Sequence, residues 1–136
     1  MAKGKQQHKQ RLEDLNLLGR ELARRSKSRC ELCGDQKPLF VTELMPPPVT
    51  PDIESALLLC SSCQHLALLP QDNPSLSTTD SLQNYSFFND AVWSETAPVQ
   101  IAAIRNIRFL AQKGALWAQD INDSLYVSPE IEDRLS

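Results

Sequence analysis

A chain of 136 residues, 41% hydrophobic and 23% charged, has room for one domain, or for a small metal-bound lobe packed on a helical one. Aromatic residues make up only 6%, so a core must rest on Leu, Ile, Val and Ala, and no apolar run approaches the ~18 residues of a membrane span. The net charge of −3 conceals a split: residues 1–29 carry nine Lys/Arg against three acids (+6), and the remainder carries five against fourteen (−9).

The first ten residues, MAKGKQQHKQ, lead into an interrupted amphipathic stretch and not a continuous apolar segment, so they are not a secretory signal. A cytoplasmic location is expected. Residues 1–9 read as disordered, with His8 unengaged. Over residues 11–25, Leu12, Leu15, Leu18 and Leu22 recur every three or four positions, which predicts one apolar stripe on a helix. Arg24 and Arg25 fall in its last turn, where positive charge suits the helix dipole. Together these residues form a basic N-terminal arm and helix, residues 1–25. Its Arg20, Arg24 and Arg25, with Lys27 and Arg29 just beyond, could reach for nucleic acid. No aromatic residue interleaves them to stack on bases, and a basic helix of this kind could equally lie solvated or fold back on an acidic body.

Next comes S-R-C-E-L-C-G, then L-F-V-T-E-L over residues 39–44, rich enough in β-branched and aromatic residues to predict a strand. Met45-Pro46-Pro47-Pro48 ends it, since proline cannot donate to a strand ladder. Residues 46–55 read as a loop, and Ala56-Leu57-Leu58-Leu59 as a short buried strand running into Cys60. Residues 70–81 are polar and turn-rich. Pro98 suits a first helical position; Val99, Ala103, Ile107, Leu110 and Ala111 then line one face, and Gly114 stops the helix. A shorter helix is predicted over residues 119–125, and Ser128-Pro129-Glu130 opens a last turn.

The chemistry lies in the cysteines. All four fall into two C-x2-C pairs separated by 26 residues, Cys30/Cys33 and Cys60/Cys63. Disulfides are disfavoured in a cytosolic chain, so metal binding is the better account. Each C-x2-C turn brings two thiolates together and leaves backbone N–H groups near the sulfurs, as at Gly34. Two turns supply a closed tetrahedral set of soft ligands suited to one structural Zn²⁺, with no open position for catalysis. A rubredoxin-like iron site uses similar spacing and stays open as an alternative; a thioredoxin-like redox pair would not need the second C-x2-C. His65, two residues after Cys63, reads as a surface or supporting histidine, because four thiolates already fill the site.

The order C-x2-C, strand, L-x-L-C-x2-C also outlines HNH-type nucleases. Thr42 and Glu43 stand here where that chemistry needs Asp and His, so no imidazole is present to activate water. If the protein is nonetheless an enzyme, a degenerate nuclease or another hydrolase, Glu43, Asp52 and Glu54 are its most plausible acids.

Residues 28–34 (S-R-C-E-L-C-G), 57–63 (L-L-L-C-S-S-C), 89–100 (N-D-A-V-W-S-E-T-A-P-V-Q) and 117–126 (W-A-Q-D-I-N-D-S-L-Y) resemble the PhnA family. These are small zinc-ribbon proteins named after an alkylphosphonate-utilisation locus. The resemblance covers roughly residues 26–131, and the last two segments are its more specific part. It implies a zinc-ribbon fold with no assigned catalytic residues. Phosphonate hydrolysis does not follow from the name, since two distant histidines do not build a His/Asp-rich metallohydrolase site. Many members end in an SH3-like β domain; nothing like it follows Leu125, so functions carried by that domain are expected to be missing. The basic arm before Ser26 is longer than the family pattern. Residues 89–100 are the best candidate for a functional surface, where Trp93, flanked by Asp90, Ser94 and Glu95, could be an exposed recognition residue. The favoured reading is that Trp93 packs the long helix onto the zinc lobe, with Ser94, Glu95 or Thr96 capping that helix, and Trp117 is expected in the core.

The expected protein is therefore α+β: the N-terminal helix, a four-cysteine zinc ribbon or treble clef over residues 26–69, a linker over residues 70–88, and a helical lobe over residues 89–136 packed on the ribbon. Its expected function is that of a non-enzymatic zinc-binding adaptor or regulatory module contacting protein or nucleic acid.

Overall fold

The computed structural model describes residues 2–36, 38–76 and 85–135, with residues 2–8 described through their backbone alone. The side chain of His8 and residues 77–84 of the expected linker lie outside the described residues.

The leucine stripe does form a helix, α1 (Ala2–Ser26), but it starts well before the stripe. Residues 2–9, expected to be disordered, continue it because Ala, Lys and Gln are good helix formers even without an apolar face. The helix ends where Lys27 and Ser28 both turn left-handed, at φ 57° and 58°, and the Ser28 amide bonds back to the Ala23 carbonyl at 2.8 Å.

Strands β1 (Leu39–Glu43) and β2 (Ala56–Cys60) pair antiparallel, with Leu39 opposite Cys60 and Glu43 opposite Ala56. The peptide bond between Met45 and Pro46 is cis, in the loop that joins them. All five residues of β2 are buried because the sheet is covered on both faces. Ala56 and Leu58 pack with Leu22 of α1, while Leu57 and Leu59 enter the larger core on the other side, as strand alternation requires.

That larger core is built on α3 (Ala97–Gln112), preceded by a single turn, α2 (Phe88–Ala91). Pro98 lies in the first turn of α3, and Ile101, Ile104, Ile107 and Leu110 are fully buried. Gly114, at φ 100°, reverses the chain into α4 (Leu116–Asp123), which starts three residues earlier than its sequence pattern indicated. The chain ends in α5 (Pro129–Leu135), whose closing carbonyls at Arg134 and Leu135 accept from the Arg105 guanidinium of α3. Helices and one small sheet together make an α+β protein. Three cysteines, Leu57 and Leu59 of β2, Phe88 and the α3 isoleucines share a single buried cluster. No helix among the described residues is long and apolar enough to cross a membrane.

Candidate metal centre

The hairpin dictates the site. One C-x2-C turn lies just ahead of β1 and the other begins at the last residue of β2. Since Leu39 pairs with Cys60, the antiparallel register brings both turns to the same end of the sheet. The four sulfurs of Cys30, Cys33, Cys60 and Cys63 all lie within 4.8 Å of one another, and those of Cys33 and Cys60 are 3.6 Å apart. Four thiolates at about 2.3 Å from a tetrahedral zinc ion would stand roughly 3.8 Å apart, so the spacing suits a metal ion held by all four. No disulfide joins them; Cys30, Cys60 and Cys63 are buried, and Cys33 is exposed.

Backbone hydrogen bonds hold each turn. The Cys30 amide donates to Asp35 O at 2.9 Å and the Gly34 amide to Cys30 O at 2.9 Å, with Gly34 at φ 81°, where a side chain would be strained. The Gly34 N–H is therefore spent closing the turn and is not directed at sulfur, contrary to expectation. In the second turn the Cys63 amide donates to Cys60 O at 3.0 Å.

The electrostatics are those of a cation site. The Cys63 thiol donates to the Cys30 sulfur, and this, helped by the backbone amides of Cys33, Cys60 and Leu32, holds Cys30 down to about 4 in spite of its burial. Burial, then crowding by the Cys30 and Cys60 sulfurs, pushes Cys33 up to about 11. Cys63 is pushed up too, because its thiol is the donor to Cys30 and it is surrounded by the other sulfurs. Cys30 thus takes a negative charge readily while Cys33 and Cys63 resist one, a penalty that a bound divalent cation would remove. The donor set fits a soft, tetrahedral ion.

The other singled-out residues sit apart from it. His65 faces Asn73: the ring Nδ1 and the Asn73 amide nitrogen are 2.9 Å apart, and the His65 carbonyl accepts from the same nitrogen at 3.0 Å. Glu43 is paired with Arg11, whose Nε lies 2.9 Å from its Oε2. Asp52 accepts the Glu54 amide at 3.0 Å. Among the described residues, the four cysteines are the only group of three or more Cys, His, Asp or Glu positioned to hold a metal.

Of the basic residues, Arg20, Arg24, Lys27 and Arg29 are exposed, whereas Arg25 is not free. Its guanidinium grips Glu31 through two 2.8 Å bonds and donates to Ile53 O and Ala56 O. Trp93 is also a correction: it is 53% exposed and does not anchor α3. Its place in the core is taken by the neighbouring Val92 and Phe88, both fully buried. Thr96 stands at the N-cap of α3 without a side-chain bond, while the Ser94 hydroxyl accepts the Thr96 amide at 3.1 Å. Trp117 is partly buried and stacks on Tyr85 with ring centres 5.8 Å apart; Tyr85 stacks in turn on Phe88 at 5.6 Å.

Sequence reasoning missed Tyr85 and Phe87, which with Cys33, Cys60 and Cys63 line an open cavity of about 430 Å³ beside the sulfurs. Their proximity in sequence to Phe88 was the available signal. It also missed the role of Glu31, although an acid directly after the first cysteine was in view. Compared with known proteins, the chain matches no family model, no curated protein and no solved structure at a significant level.

Proposed function

We propose that this protein is a non-enzymatic zinc-binding module of the PhnA type, an adaptor in which one structural Zn²⁺ held by Cys30, Cys33, Cys60 and Cys63 fixes a zinc-ribbon lobe against a helical one. The observation that carries this reading is the convergence of four sulfurs within 4.8 Å, a complete ligand set with no position left for a substrate. The role of Glu43 as the partner of Arg11, and of Asp52 as a turn acceptor, speaks for structural acids and against a nuclease or hydrolase site. Arg20, Arg24, Lys27 and Arg29 remain exposed around the end of α1 and offer the contact surface, to nucleic acid or to an acidic protein.

Elemental mass spectrometry on protein purified without added metal, paired with binding to mixed DNA and RNA over a range of salt, tests both halves. One zinc per chain is the expected content. Steeply salt-dependent binding, lost when the four exposed basic residues are changed to Gln, identifies nucleic acid as the partner. One zinc without nucleic-acid binding assigns the surface to protein partners. Iron, or a second equivalent of metal, overturns the structural-zinc adaptor reading.

A further inference from the structure

On the side of the molecule formed by α3, α5 and the loop between the strands, two arginines share a small cavity of about 230 Å³. Arg105 reaches it from α3 and Arg134 from α5; Ser55, just before β2, adds a hydroxyl, and Met45, Pro46 and Pro48 form apolar walls. Among the described residues, no acid lines it.

Both guanidinium groups are held in place by neutral acceptors. Arg105 donates to the carbonyls of Met45 at 2.6 Å, Arg134 at 2.9 Å and Leu135 at 3.2 Å. Arg134 donates to Glu54 O at 2.7 Å and to the Ser55 hydroxyl at 3.2 Å. A guanidinium carries five N–H groups in a rigid fork, so each arginine retains donors beyond those used. Carbonyls satisfy hydrogen bonds but do not cancel charge. Among the described residues neither arginine has a carboxylate partner, and the nearby acid Glu132 is committed to Arg108 through bonds of 2.8 and 2.9 Å. Burial first, and then the Arg134 charge, hold the Arg105 guanidinium below its usual value, the direction of a cation lacking a counterion.

We propose that this pocket binds a phosphate-type oxyanion, with Arg105 and Arg134 as its charged donors and Ser55 as a third. Guanidinium forks match phosphate and carboxylate oxygens alike. The donors here come from three separate segments and line one shared, open cavity, so they approach from different directions, which suits a tetrahedral group better than a planar carboxylate. The source is free inorganic phosphate or a phosphomonoester. A second open cavity of about 460 Å³ shares Arg105 and Pro46 with this one; Leu69, Phe109 and Leu135 line it beside the ion-paired Arg108 and Glu132, room for the organic part of an ester.

The test is an NMR titration of the metal-loaded full chain with inorganic phosphate at constant ionic strength, following the arginine Nε–H signals and the backbone amides of Met45 and Ser55. A saturable response confined to this pocket is expected. Arg134→Gln should weaken it at least about tenfold, and Arg134→Lys should restore part of it. Arg134 is the residue to change, because Arg105 also secures the end of α5. Phenyl phosphate binding more tightly than inorganic phosphate would identify an ester as the ligand; equal affinity would identify the free anion. A linear response matched by chloride, an Arg134→Gln variant as tight as the parent, or acetate binding as well as phosphate would overturn the proposal.

Discussion

Arg25 and Glu31 stand in for a missing third strand along the outer edge of β2. The Glu31 backbone amide donates to Leu58 O at 2.9 Å while its Oε1 accepts the Leu58 amide at 2.8 Å. Arg25 closes the pair with two bonds of 2.8 Å and reaches Ala56 O at 2.7 Å. The side chains are only 18% and 4% exposed, so this is a largely buried ion pair in which each remaining polar edge finds a backbone partner. It fastens three things at once: the end of α1, the first cysteine turn and the middle of β2.

Removing one partner should therefore cost far more than a surface ion pair. Arg25→Ala is expected to destabilise the metal-loaded protein by about 3–5 kcal/mol, because Glu31 would be left buried and uncompensated. Guanidinium chloride unfolding followed by far-UV circular dichroism measures this. A loss below ~1 kcal/mol would mean that Glu31 can be rehydrated without disturbing β2.

Chelation of the metal is expected to unfold at least residues 26–66, with Cys60→Ser producing the same loss, on the order of several kcal/mol. Because Cys30, Cys60 and Cys63 belong to the same buried cluster as Ile101, Ile104 and Ile107, the effect should spread into α3. Amide NMR spectra before and after adding a chelator report on both regions. Native-like dispersion retained over residues 26–66 in the apo-protein would contradict a structural role for the ion.

Asn106 is fully buried on the inner face of α3, and its side-chain amide donates to Leu66 O at 3.0 Å and to Ala102 O at 2.7 Å. The Leu66 carbonyl belongs to the turn that follows Cys63, so this one amide links the long helix to the segment carrying the second cysteine pair. Asn106→Ala should cost about 1–3 kcal/mol for leaving a buried carbonyl unpaired. Urea denaturation of the metal-loaded variant would show it, and an unchanged midpoint would mean that another donor reaches Leu66 O.

The Arg108–Glu132 pair predicts a pH effect with a definite sign. The Arg108 guanidinium holds the Glu132 carboxyl below the usual carboxylate range. A carboxyl whose folded value lies below its unfolded value adds stability above the ordinary carboxylate range, and that contribution fades as pH falls through the folded value. Glu132 is exposed and Arg108 partly so, and the pair is open to solvent screening, so the energetic effect should be small. The carboxyl ¹³C shift of Glu132 should titrate at lower pH than that of an unpaired glutamate, and Arg108→Gln should return it to the ordinary range. Identical titration in parent and variant would place the pair apart in solution.

The sequence by itself determined the four-cysteine cluster and the local frame around it. Two C-x2-C pairs separated by a β-branched run, a proline loop and a leucine run can close on one metal with little choice of partner, since each pair is a short turn and the hairpin between them sets the register. Pro98 and Gly114 bracketed the long helix for reasons equally local, a fixed φ at one end and a positive φ at the other. Tertiary structure decided which polar and aromatic side chains face inward. Arg25 looked no different from Arg24 in a basic stretch, yet only Arg25 meets Glu31 and the open edge of β2. Trp93 lies outside while Val92 beside it is buried, because a single turn at Phe88–Ala91 sets which neighbours point at the core. The pairing of Arg105 with Arg134 joins residues 29 apart through the packing of α5 on α3. Burial and long-range ion pairing depend on where distant backbones come to rest, and composition and periodicity do not carry that information.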